Sequence, residues 1–184
     1  DLGMSPLCES FRKASELDAM EPYFPLHVLV CEDCLLVQLQ EYVSPEHIFR
    51  EYAYFSSYST SWVAHAKSYC AMIAARLGLG ADSLAVELAS NDGYLLQHFA
   101  PLGVPALGIE PARNVAQVAI GKDIETIPEF FGAELAERLA AQGRTADLII
   151  GNNVLAQVPD LNDFTAGMAT LLKPEGVITL EFPH

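Results

Sequence analysis

The sequence predicts a doubly wound parallel α/β sheet of five strands, preceded by a small loop-rich module. Three observations carry this prediction. From Leu84 onward, short apolar runs alternate with segments of helical period. Before residue 60 the chain instead holds Pro6, Pro22, Pro25 and Pro45, a CxxC pair and the aromatic, serine-rich run EYAYFSSYSTSW. With 51% hydrophobic and 18% charged residues, 184 residues suffice for one substantial core and a satellite.

Taken in order, residues 1–60 read as the module and its linker. The segments LHVLV and LLVQL alternate well enough to pair as a hairpin across Cys31 and Cys34. The run SWVAHAKSYCAMIAARLGLG then places Trp62, Ala66, Tyr69, Cys70, Ile73 and Leu77 on one helical stripe, with serine and threonine as N-caps and Gly78 as the stop. Residues 61–184 form the sheet domain. Its strands are LAVELA, ALGIE, IETI, DLIIGNN and GVITLEF; its intervening helices are GYLLQHFAPL, ARNVAQVAI, AELAERLAAQ and LNDFTAGMATLL. Right-handed crossovers make such a series a parallel sheet, with GVITLEF at its edge.

Charge and composition exclude several classes. Ten Lys and Arg against 24 Asp and Glu give a formal charge of -14, which repels a nucleic-acid backbone. No apolar run approaches the roughly 20 residues of a bilayer span, and no secretion signal opens the chain. A cytoplasmic protein without nucleic-acid or membrane partners is expected. Four cysteines are too few for a disulfide scaffold, so the CxxC points to metal or redox chemistry; no thioredoxin-like context surrounds it.

Ligands of doubly wound sheets bind outside the carboxyl ends of the strands, at the switch point beside the first strand. There Glu87, Ala89, Asn91 and Gly93 reproduce an acid-x-Gly-x-Gly-x-Gly spacing in which alanine and asparagine replace two glycines. Alanine is small, and asparagine visits the left-handed region more readily than other side chains. Glu110 closes the second strand, where an acid can accept both hydroxyl protons of a ribose. A pyrophosphate would meet an unfavourable Asp92, whereas Glu87 and Asp92 suit the ammonium and sulfonium of S-adenosylmethionine. The candidate cofactor-binding set is Glu87, Ala89, Ser90, Asn91, Asp92, Gly93, Tyr94, Glu110, Pro111, Asn152 and Asn153.

The strings PLHVLVCEDCLLVQL, YAYFSSYSTSWVAHAKSY, ELASNDGYLL, GIEPARNVA, GNNVLAQVPDLNDF and ITLEFPH together resemble the zinc-module-containing, S-adenosylmethionine-dependent sugar C-methyltransferases. The resemblance covers nearly the whole chain. It implies a class I methyltransferase Rossmann-like fold and C-methylation of a nucleotide-linked keto-deoxysugar through an enolate. It also implies a zinc module to which Cys31 and Cys34 contribute, and a chain that begins just past a first CxxC pair and stops before a C-terminal domain associated with the base. Cys8 and His27 could complete a zinc tetrahedron, but the resemblance assigns neither. His184 and Tyr58 are the candidate catalytic residues, for proton transfer and for covering cofactor or sugar. His65, among alanines, reads as an ordinary helix residue. Two alternatives stay open: an NAD(P)-dependent oxidoreductase, and a non-catalytic nucleoside-binding fragment.

Overall fold

Ser59 starts the longest helix, α1 (Thr60–Leu77), by accepting the Trp62 N–H on its side chain at 3.3 Å. Gly78 ends it at φ 65°, the left-handed conformation of a glycine C-cap. The expected stripe faces inward: Ala66, Cys70 and Ile73 are buried, with Trp62, Tyr69 and Leu77 packed against them. In this computed structural model residues 1–182 are described. They divide into two units, Asp1–Tyr54 and the part from Phe55 onward. The aromatic, serine-rich run therefore joins the sheet-bearing unit from Phe55, ahead of the boundary expected at residue 60.

The second unit is built on β1 (Ala85–Leu88), β2 (Ala106–Ile109), α2 (Arg113–Ile120), β3 (Thr126–Ile127), α3 (Ala133–Ala141), β4 (Ala146–Asn152), α4 (Leu161–Leu171) and β5 (Leu172–Glu181). The strands form one five-stranded sheet in the order β3-β2-β1-β4-β5. All neighbours are parallel. Period-two alternation sends β1 residues to two cores. Ala85 joins the layer of α1, whereas Val86 and Leu88 join that of α3 and α4. Glu87, one step from each, shares the α1 side with Ala85. Because the chain leaves β1 toward β2 on one side and β4 on the other, the crevice at the end of β1 is the switch point.

Two expected elements differ. GYLLQHFAPL forms two 3-10 turns, Leu96–His98 and Ala100–Leu102, rather than a helix. Pro101 has no N–H to continue an α-helix and its ring would strike the carbonyl four residues back, while Gly103 at φ 71° closes the second turn. Tight turns also let Tyr94, Leu95, Leu96 and Phe99 all be buried. The run IETI contributes only Thr126–Ile127 to the sheet, because Asp123 at φ 60° and the Ile124 N–H, donating to Ala119 O at 3.1 Å, still close the turn after α2.

α4 crosses the start of α3 at Gly167. A Cβ there would lie 2.8 Å from the carbonyl carbon and oxygen of Gly132, atoms that cannot rotate away. Gly167→Ala is expected to lower stability by about 1–3 kcal/mol, the usual cost of overpacking. Urea denaturation checks this, and an unchanged midpoint would refute the packing argument.

In the N-terminal unit, Met4–Ser5 pairs antiparallel with Phe24–Pro25, and Val28–Val30 pairs with Val37–Leu39. The second pair is the hairpin expected across the CxxC. Leu35 at φ 62° turns the chain, with Leu35 N–H donating to Cys31 O and Cys31 N–H to Leu36 O, both at 3.0 Å. The hairpin side chains stay exposed, and this unit has no buried core of its own.

Candidate functional site

The turn after β1 is wound by three alternating left-handed residues, Ala89 at φ 56°, Asn91 at φ 50° and Gly93 at φ 75°. Its amides are satisfied from several directions. Ser90 N–H donates to Ile109 O at 3.2 Å and Gly93 N–H to Ser90 O at 3.1 Å. Asn91 N–H donates to Glu110 Oε2 at 2.9 Å, and Ala112 N–H to Glu110 Oε1 at 2.8 Å. Glu110 therefore clamps its own turn to the first one. Ionised, its carboxylate offers about four acceptor positions, so two backbone donors leave room for ligand hydroxyls.

Glu87 sits beneath this turn, 1% exposed, and neither carboxylate oxygen has a hydrogen-bond partner. Ser90 Oγ and Asp92 Oδ1 are likewise buried without partners. Burial pushes the Glu87 carboxyl well up from its ordinary value. The Tyr94 hydroxyl offsets part of this, and the charges of Glu110 and Asp92 add to the rise. Glu110 is also raised by burial, against the pull of the Ala112 and Asn91 N–H groups. For a carboxyl raised in the folded state, stability is fully present below the unfolded value near 4.5 and declines as pH rises toward the folded value. Glu87→Gln removes one such group. Its stability is expected to fall less between pH 5 and pH 8 than that of the unaltered chain, by up to about 1.4 kcal/mol per pH unit; parallel slopes in denaturation at the two pH values would contradict this.

The structure brings Glu87, Ser90, Asn91, Asp92, Tyr94 and Glu110 together, as the spacing implied. Asp92, expected to suit the cationic groups of the ligand, already has a cation of the chain beside it. Its Oδ2 lies 3.4 Å from Lys122 Nζ, which also donates to Asp92 O at 2.8 Å, and it accepts from the Ser57 hydroxyl. Only Oδ1 remains open. Asn152 turns inward, donating from Nδ2 to the Tyr94 hydroxyl at 3.1 Å. Asn153 is exposed at φ 54° and ties its N–H to Glu181 O at 2.6 Å, which fits turn closure. Pro111 is half-buried between Glu110 and Ala112. Tyr58 is 81% exposed and stacks on Phe55 at 5.4 Å. His184 lies outside the described residues.

Several contributors were missed from sequence. Ser56 N–H donates to Asn91 Oδ1 at 2.8 Å, so the strap 55–59 is pinned to the turn. Trp62 stacks on Tyr94 at 6.0 Å and on His65 at 5.2 Å. His65 in turn pairs with Glu181 at 3.4 Å. Gly108 leaves space for Ser90, since a Cβ there would lie 2.4 Å from Ser90 Oγ. The small residue in ALGIE was a usable signal; Lys122 and Ser57 carried none.

Residues 62–184 match the family described as a methyltransferase domain. The chain belongs to that family. Residues 1–49 match a second family, described as "Putative zinc binding domain". Over 182 residues the chain is 34% identical to the C-methyltransferase NovU of Streptomyces niveus, covering 99% of this chain and 43% of that protein. It is 28% identical over 94 residues to the ubiquinone biosynthesis O-methyltransferase of Bartonella bacilliformis, covering 50% of this chain and 38% of that one. The chain thus spans less than half the length of these relatives. Among solved structures, Streptomyces venezuelae DesVI superposes with a TM-score of 0.52 at 18% identity, over 67% of this chain and 52% of that chain. The plantazolicin methyltransferase BpumL, in complex with a pentazolic desmethylPZN analog and SAH, gives 0.51 at 10% identity, over 66% and 46%. The fold of the second unit is the class I methyltransferase, Rossmann-like sheet.

The orphaned acceptors of the first turn and the open capacity of Glu110 fit a nucleoside bearing a cationic tail. Zinc fits less well. The Cys31 thiol is held below its ordinary value by the N–H groups of Cys34 and Asp33 and by the Cys34 thiol. Yet among the described residues no three of His, Cys, Asp and Glu gather around a common point, and structural zinc takes four ligands. Cys8 is exposed and completes no set. No described helix is long and apolar enough to cross a membrane.

Proposed function

We propose that this chain carries the cofactor-binding half of an S-adenosylmethionine-dependent C-methyltransferase whose substrate is a nucleotide-linked keto-deoxysugar. The observation that carries the reading is the pair of buried carboxyls at neighbouring strand ends: Glu87 without a partner, and Glu110 held only by backbone N–H groups. S-adenosylmethionine supplies, when bound, a methyl group on positively charged sulfur. Glu110 accepts the ribose hydroxyls, and its two backbone donors fix the carboxylate plane before the ligand arrives. Glu87 takes the ammonium end, where no bulk water competes. Tyr94, held by Asn152 and stacked on Trp62, walls the crevice between β1 and β4. The sugar carbon beside the ketone becomes nucleophilic as an enolate once its proton is lost. Tyr58, exposed on the strap, would cover the cofactor or touch such a sugar.

The NovU likeness supports carbon rather than oxygen as the acceptor. Parallel titration with S-adenosylhomocysteine and NAD tests the cofactor half; tighter binding of NAD overturns it. Transfer of labelled methyl from S-adenosylmethionine to carbon of a nucleotide-linked keto-deoxysugar by the full-length enzyme tests the rest. Label recovered on oxygen, or on no sugar, overturns the substrate reading.

A further inference from the structure

Glu87 occupies a position that penalises a charged carboxylate. It is 1% exposed, both oxygens lack partners, and among the described residues no ion pair reaches it. The groups that face it are themselves acidic or neutral. Tyr69 and Cys70 approach from α1, Asp92 and Tyr94 from the turn, and Glu110 from the end of β2. Lys122, the cation paired with neighbouring Asp92, is committed to the backbone and Oδ2 of that residue. An uncompensated buried carboxylate neutralises by taking a proton. An ionised Glu87 accepts hydrogen bonds only, and the open acceptors around it, with Asp92 Oδ1, match a ligand group that is all donor.

We infer that the empty site stores a proton on Glu87 and that the ammonium of the ligand displaces it, so that binding is a cation-for-proton exchange. This rests on the cofactor reading above. The step balances: the Glu87 O–H bond breaks, its proton leaves to solvent, and three N–H donors of the ammonium replace it without change in the charge of the site. Ligands that share the nucleoside but lack the ammonium leave the Glu87 proton in place. The exchange makes the amino-acid end, rather than the adenosine, the part of the ligand that senses pH.

Isothermal titration in buffers of different ionisation enthalpy counts the protons released. S-adenosylhomocysteine is expected to release a fraction of a proton that shrinks as pH rises from 5.5 to 8, with affinity increasing by up to about tenfold per pH unit at the low end. 5′-Methylthioadenosine, which reaches Glu110 but has no ammonium, is expected to release less. Glu87→Gln is expected to bind S-adenosylhomocysteine with affinity nearly independent of pH. Binding without proton release, equal release by both ligands, or unchanged release in E87Q would each overturn the exchange while leaving the cofactor reading intact. Failure of S-adenosylhomocysteine to bind at any pH would sink both.

Discussion

Glu110→Ala is expected to weaken S-adenosylhomocysteine binding by about 10- to 100-fold, the loss of charge-assisted hydrogen bonds worth about 1.5–3 kcal/mol. The structure adds a second cost that spacing alone did not reveal. Asn91 N–H and Ala112 N–H both end on this carboxylate, so alanine strands two buried donors at about 1–3 kcal/mol each. The variant should therefore lose stability as well as affinity. Glu110→Gln separates the two effects, because its amide oxygen can retain one backbone donor while the ribose loses its charged acceptor. Calorimetric titration and urea denaturation of the two variants make the comparison. An alanine variant that binds as tightly as the unaltered chain would remove Glu110 from the site.

Gly93→Ala should be comparably severe for a different reason. At φ 75° an alanine costs about 1–2 kcal/mol in backbone energy alone. Its Cβ would also lie 2.3 Å from Ile124 Cδ1 and 3.3 Å from Ala119 Cβ, so the turn must shift or the core repack, at about 1–3 kcal/mol. A combined loss of about 2–5 kcal/mol is expected, with nucleoside binding falling in step because the turn carries the open acceptors. Pairing it with Ile124→Val removes the offending methyl. The double variant should recover the packing share and keep the backbone share; full recovery would show that left-handed geometry is unimportant there.

The alternation of apolar runs with helical segments made the sheet legible, because the continuous burial of β1 on both faces and the helical stripes in α1, α3 and α4 are local properties of sequence. The ligand turn was legible for a related reason. Ala89 and Asn91 occupy the left-handed slots that their size and side-chain chemistry permit, and Glu110 falls at the next strand end. What escaped was the state of the charges. That Lys122, thirty residues beyond Asp92, would neutralise it depends on how α2 returns beside the turn. No spacing rule encodes that return. The failed helix after Gly93 was a matter of weighing: Pro101 and Gly103 carried the warning, but the apolar period outweighed them.

Asn91 Oδ1 receives two amides, those of Ser56 and Asp92, from segments far apart in the chain. Exchange of the Ser56 amide with deuterium is consequently tied to the conformation of a turn it does not belong to. Protection at that single backbone position gives a readout of whether the ligand loop is formed, obtainable without any ligand.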